Sequence, residues 1–78
     1  MILVKKYVGV LEKFRVIKTQ PLLARFTLKT RSQSINCVVA DVEIADKLLM
    51  MKEGQQHLCV TGHLNKRNQL VIETMQCS

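Results

Sequence analysis

Apolar and polar residues alternate with period two through most of this chain and switch once to a helical spacing. ARFTLKT (24–30) places Ala24, Phe26 and Leu28 on one face and Arg25, Thr27 and Lys29 on the other, the pattern of a half-buried strand. After the polar turn Arg31-Ser32-Gln33-Ser34, residues Ile35, Cys37 and Val39 share one face and Asn36, Val38 and Ala40 the other. Upstream, residues 2–19 are rich in Val, Ile, Leu, Tyr and Phe and read as one long strand. Gly9 marks a place for a bulge or a close backbone approach, and Thr19-Gln20-Pro21 ends the strand, since proline cannot donate to a ladder.

From Asp41 the period changes. Ile44, Ala45, Leu48, Leu49 and Met51 recur at helical spacing with Glu43, Asp46, Lys47 and Lys52 between them. Asp41 suits the N-cap, and Gly54 is the expected C-terminal stop. Asp41, Glu43, Asp46 and Glu53 then read as the helix's cap and solvated face. Two further alternating runs flank Asn65-Lys66-Arg67-Asn68, a turn that places two cations at the tip of a hairpin. Gly62 interrupts the first of these runs, where a strand would ordinarily carry a side chain.

The predicted order is β1-β2-β3-α-β4-β5, all-β with one helix. Five strands of this length curl into a small closed barrel, with the helix plugging one end and glycines at the sharp bends. That order is the one of the five-stranded OB-fold barrel, a scaffold that binds oligonucleotides on strands two and three and the loops beside them. The 78 residues make one domain, 1–78, with no repeats and no internal linker.

Charge sharpens the picture. Twelve Lys and Arg against six Asp and Glu give a net charge of +6, which favours a polyanionic partner, nucleic acid first. Arg25, Lys29 and Arg31 follow the outward face of strand two, with Asn36 beside them on strand three. Lys66 and Arg67 tip the last hairpin, and Arg15 and Lys18 run into the first. Three segments thus deliver cations to one expected surface, as a groove that tracks phosphates requires. Arginine planes substitute for aromatic stacking unless Phe14 faces the groove. A bulge in strand one decides that, by setting the parity of Tyr7 against Phe14. Phe26 alternates into the core.

Other chemistry finds little support. No nucleophile–base pair, carboxylate pair or glycine-rich phosphate loop is present, so no enzyme and no cofactor is expected. His57, Cys59 and His63 share a strand face. They span about 20 Å of extended chain, too far for one metal ion. Three cysteines without C-x-x-C spacing argue against a disulfide framework and for a reducing, cytoplasmic setting. The N-terminal MILVKKYVGV reads as a strand, neither signal peptide nor membrane span.

The stretches VGVLEKFRVI, ARFTLKT, INCVVA and KEGQQHLCVTGHLNKRNQLVIE together resemble the bacterial single-stranded DNA-binding protein family and its primosomal relative. The matching signals are Gly9-Val10-Leu11 and Gly62-His63-Leu64, with Phe26 and Leu28 between them and Gly54 after the helix. The resemblance implies an OB-fold that binds single-stranded DNA without catalysis, usually as a homo-oligomer. Against that family the turn between strands two and three is short, there is no tryptophan, and the acidic tail is absent. A small replication or recombination accessory factor is therefore expected. Pairing an edge or covering Val38, Ala40 and Cys59 predicts a homo-oligomer, dimer or tetramer. The rival is an OB-type protein-interaction subunit of a larger complex. A single-stranded RNA binder of cold-shock type needs aromatic signatures this chain lacks, and an SH3-like barrel fits poorly with an interstrand helix.

Overall fold

The computed structural model describes residues 3–77. Its strands are β1 (Lys5–Thr19), β2 (Leu22–Lys29), β3 (Ser34–Val39), β4 (His57–Leu64) and β5 (Leu70–Cys77). One helix, α1 (Val42–Leu49), falls between β3 and β4. The strands close into a barrel in the order β1-β2-β3-β5-β4, with β4 returning to β1. Every pairing is antiparallel except β3–β5, a short parallel seam of Cys37↔Leu70 and Val38↔Val71.

Alternation fills the barrel as the pattern predicts. Ala24, Phe26 and Leu28 from β2 and Ile35, Cys37 and Val39 from β3 are buried. They join Leu11, Leu58, Val60, Leu70 and Ile72 in one core, to which α1 adds Ala45 and Leu48. The Asp41 carboxylate caps α1, accepting from the Ile44 N–H at 3.1 Å.

The helix ends earlier than its sequence suggests, at Leu49 with Met50 as C-cap. Gly54 lies beyond it, with φ +78°, and donates its N–H to the Leu11 carbonyl at 2.8 Å. Glu53 also lies outside the helix. Its carboxylate accepts from the Phe14 N–H, 39 residues away.

Gly9 proves to be a close approach, not a bulge. It pairs regularly with Leu58, and a Cβ there would stand 2.6 Å from the Lys29 carbonyl oxygen. The break in β1 comes later. Glu12 pairs with Thr27 and Arg15 with Arg25, so Lys13 and Phe14 together oppose the single residue Phe26. Lys13 takes up the excess with φ +56°. A second shift, between Val16 and Lys18, isolates Ile17. The first bulge settles the parity of β1. Phe14 turns inward, half-buried against the core as Tyr7 is, and Arg15 emerges beside Arg25.

Candidate nucleic-acid interface

Beta alternation sends Arg25 and Thr27 outward from β2, and the pairing Thr27↔Asn36 sets Asn36 on the same face. The bulge adds Arg15 and the extruded Lys13. These five side chains, over the edge of Phe26, surround a shallow pocket of about 60 Å³. Arg25 also lines a larger cleft of about 460 Å³. Its apolar floor comes from Ile17, Leu23, Val38, Ala40 and Val71, and its far rim is Asn65, Arg67 and Gln69. Arg25 thus joins the two depressions into one basic surface. The apolar Val38 and Ala40 belong to this cleft floor.

The rim is shaped by Asn65. Its Oδ1 accepts the N–H groups of Arg67 and Gln69, both at 2.9 Å, and its Nδ2 donates to Gln69 Oε1 at 3.0 Å. Asn68, at φ +61°, donates its N–H to the Asn65 carbonyl. This side-chain-stabilised turn points Arg67 at the cleft. Lys66 is exposed in the same turn outside the cleft, and Lys18 is exposed farther along the β1–β2 hairpin, opposite Leu23.

Lys29 and Arg31 part company with the rest. Lys29 continues the outward line of β2, but with Arg31 it lines a third cleft of about 550 Å³, walled by Val8, Val10 and His57. The expected single groove therefore resolves into an Arg15–Arg25–Arg67 face and a separate Lys29–Arg31 cleft. Among the described residues no Lys or Arg lies within 4 Å of a carboxylate, the one contact of that kind being between His63 Nδ1 and Glu73 Oε2 at 3.2 Å, so neither set of cations is paired with an acid.

No aromatic ring lies open on this surface. Phe26 is 3% exposed, and Phe14 and Tyr7 pack against the core. The signals that sequence reading missed were Lys13, visible only once the bulge is known, and Asn65 and Gln69. For that last pair the asparagine opening a four-residue turn was the available clue.

By sequence the chain matches no family model and no curated protein. By structure it is similar to the mitochondrial single-stranded DNA-binding protein Rim1 of S. cerevisiae, with a TM-score of 0.87 at 11% identity over 100% of this chain and 96% of that one. It is also similar to a chain of the S. pombe Stn1–Ten1 complex, with a TM-score of 0.80 at 15% identity over 96% of this chain. There it spans 57% of the matched chain. In the yeast Stn1 and Ten1 structure the TM-score is 0.77, at 15% identity over 96% of this chain, which spans 42% of the matched chain. The fold is the OB-fold.

In OB-fold terms the two joined depressions lie across β2 and β3, between the β1–β2 hairpin and the β4–β5 turn. This is the face on which the fold accommodates oligonucleotides. The Lys29–Arg31 cleft lies off it, at the β2–β3 turn and against β1.

Proposed function

We propose that this chain is a non-catalytic OB-fold module that binds single-stranded nucleic acid, DNA in preference to RNA, across β2 and β3. The observation that carries this reading is Arg25. It stands in both depressions of the OB binding face, beside its ladder partner Arg15 and across the larger cleft from Arg67, with no carboxylate partner among the described residues. Three chain segments converge there to present cations over an aliphatic floor. Phosphates pair with the guanidinium groups, and bases rest on Val38, Ala40 and Val71 in place of aromatic rings. DNA is favoured because Rim1, the structural neighbour of similar length, is a single-stranded DNA-binding protein. A replication or recombination accessory role and assembly into a homo-oligomer extend this reading and rest on the resemblance of the sequence to the bacterial single-stranded DNA-binding family.

The test is fluorescence anisotropy of a labelled oligo-dT and of its duplex over a range of salt. Binding is expected to prefer the single strand. In Arg25→Glu/Arg67→Glu the log–log salt slope should fall by about 1.4, at about 0.7 for each single-strand phosphate no longer neutralised. Equal binding to strand and duplex, unaltered by the substitutions, would refute the reading.

A second reading rests on a different surface. Val4, just before β1, and Val8 within it are 63% and 53% exposed, and Val42 and Leu49 of α1 and its C-cap Met50 are exposed as well. Such apolar area supports a role as one subunit of a larger complex. Size-exclusion chromatography with light scattering, run with and without oligo-dT, separates a self-associating module from a monomer that needs another partner.

A further inference from the structure

Arg15 and Arg25 stand directly opposite each other on the β1–β2 ladder, a like-charge pairing that a sheet disfavours. The bulge adds Lys13, and the three cations surround the shallow depression of about 60 Å³ together with Thr27 and Asn36. All three are exposed, and none has a carboxylate partner among the described residues. Lys13 is held there by a strained backbone. Its φ of +56° is one that glycine or asparagine adopts more readily, and strain of that kind clusters where a side chain is used. Three positive charges gathered without an anion repel one another, and an anion among them relieves that repulsion.

We infer that this depression seats a single phosphate group, and that the group it favours is the terminal phosphate of a strand. The inference rests on the nucleic-acid-binding reading above and adds an end-recognition subsite to it. Size limits the occupant. The volume is the share of about two waters, room for the oxygens of one phosphate and too little to take in a nucleobase. The lining suits it as well, since guanidinium and ammonium groups donate to phosphate oxygens and the Thr27 hydroxyl and Asn36 amide offer further donors. Charge then separates the end of a strand from its middle. An internal phosphodiester carries one negative charge, whereas a terminal monoester carries about −1.5 to −2 at neutral pH and gains more from three cations. The surroundings act in the same direction. On the far side of Lys13 the surface turns acidic, because Glu12, opposite Thr27, lines the next hollow with Glu53. A strand that comes over the larger cleft by way of Arg25 and runs on past Lys13 brings its next phosphate against those carboxylates. A strand that ends in the depression does not.

The test compares oligo-dT of about eight nucleotides, within the span of one OB-fold, bearing a 5′-phosphate, a 3′-phosphate or neither. Anisotropy is read with the label on the opposite end, at pH about 7.5, where the monoester is mostly dianionic. In wild type a phosphate at one end should raise affinity by about two- to fivefold, the range of an exposed ion pair, and at the other end by less. Lys13→Asn removes the charge and suits the left-handed backbone, so the bulge is kept. It should abolish most of that gain. Lys47→Gln makes the same change of net charge on α1 and should leave the gain intact. A gain equal at both ends, or one that survives Lys13→Asn, would come from net charge alone and overturns the inference. Circular dichroism of both variants checks that the barrel is intact. If no form of the oligonucleotide binds, the nucleic-acid reading falls and the phosphate seat with it. If the unphosphorylated strand binds and neither phosphate strengthens it, only the seat falls.

Discussion

Gly62→Ala should be one of the most damaging single-methyl changes available in this barrel. A Cβ at Gly62 would fall on the Val71 carbonyl, 2.8 Å from its carbon and closer still to its oxygen, and 3.2 Å from the Ile72 Cα. The carbon alone is short of ordinary contact by about 0.6 Å. Each of these atoms is backbone, so no rotamer relieves the clash. β5 is also held from its other side, because Val71 pairs with Val38 across the two-residue parallel seam that closes the barrel. To make room, β5 must move away from β4 or strain that seam. The loss of two ladder hydrogen bonds costs about 2 kcal/mol. Partial exposure of Leu70 and Ile72, now 0% and 5% exposed, adds about 1 kcal/mol. For a domain of this size, about 3 kcal/mol lowers Tm by about 12–24 °C. Thermal denaturation followed by far-UV circular dichroism reads the change. Gly54→Ala is the informative companion. Nothing lies within 4 Å of its would-be Cβ, but its φ of +78° is unfavourable to an L side chain by about 1–2 kcal/mol. If Gly62→Ala proved no worse than Gly54→Ala, the steric argument for the β4–β5 crossing would be wrong.

Two further expectations concern the core and the helix. Burial pushes the Cys37 thiol up to about 12 from an ordinary 9.0, partly offset by a backbone hydrogen bond. The folded chain keeps this thiol neutral while the unfolded chain ionises it near 9. Its contribution is therefore fully present below pH 9 and is lost as pH rises from 9 toward 12. Urea titrations of wild type and Cys37→Ala between pH 7 and 10.5 should show wild type losing stability faster above pH 9, and parallel curves would contradict this. Asp41→Ala removes the acceptor for the Ile44 N–H and should destabilise the protein by about 1 kcal/mol in the same assay. Asp41→Asn, which keeps an acceptor, should recover most of that loss.

The parts of this fold that could be read in advance were those where one residue's neighbours decide its side. The alternation of Ala24, Phe26 and Leu28 against Arg25, Thr27 and Lys29 needed no tertiary knowledge, and the Asp41 cap is equally local. Chain order then implied the barrel, because five curved strands have few ways to hide their edges. What could not be read depended on distant partners. The helix stops at Leu49, and Gly54 instead meets Leu11, while Glu53 reaches Phe14 across 39 residues. Gly9 and a bulge were both legible in β1 as possibilities. Only the pairing with β2 moves the bulge to Lys13–Phe14, and so decides whether a ring or a guanidinium meets solvent. The basic surface was anticipated through its charges, but its division was not. Whether Lys29 sides with Arg25 or with Arg31 depends on barrel curvature, which period two does not encode.

The Lys13 bulge has a consequence for how the length of this chain can vary. Since Lys13 and Phe14 jointly face Phe26, Lys13 is supernumerary to the ladder. Removing it would leave Glu12 opposite Thr27, Phe14 opposite Phe26 and Arg15 opposite Arg25, every face as before. A deletion at Val10 or Leu11 would instead invert the strand between there and the bulge. β1 therefore contains a joint where a residue can be gained or lost without scrambling inside and outside. Because that residue is a cation on the rim of the shallow pocket, a change of length there would alter the charge offered to a ligand and leave the barrel's architecture alone.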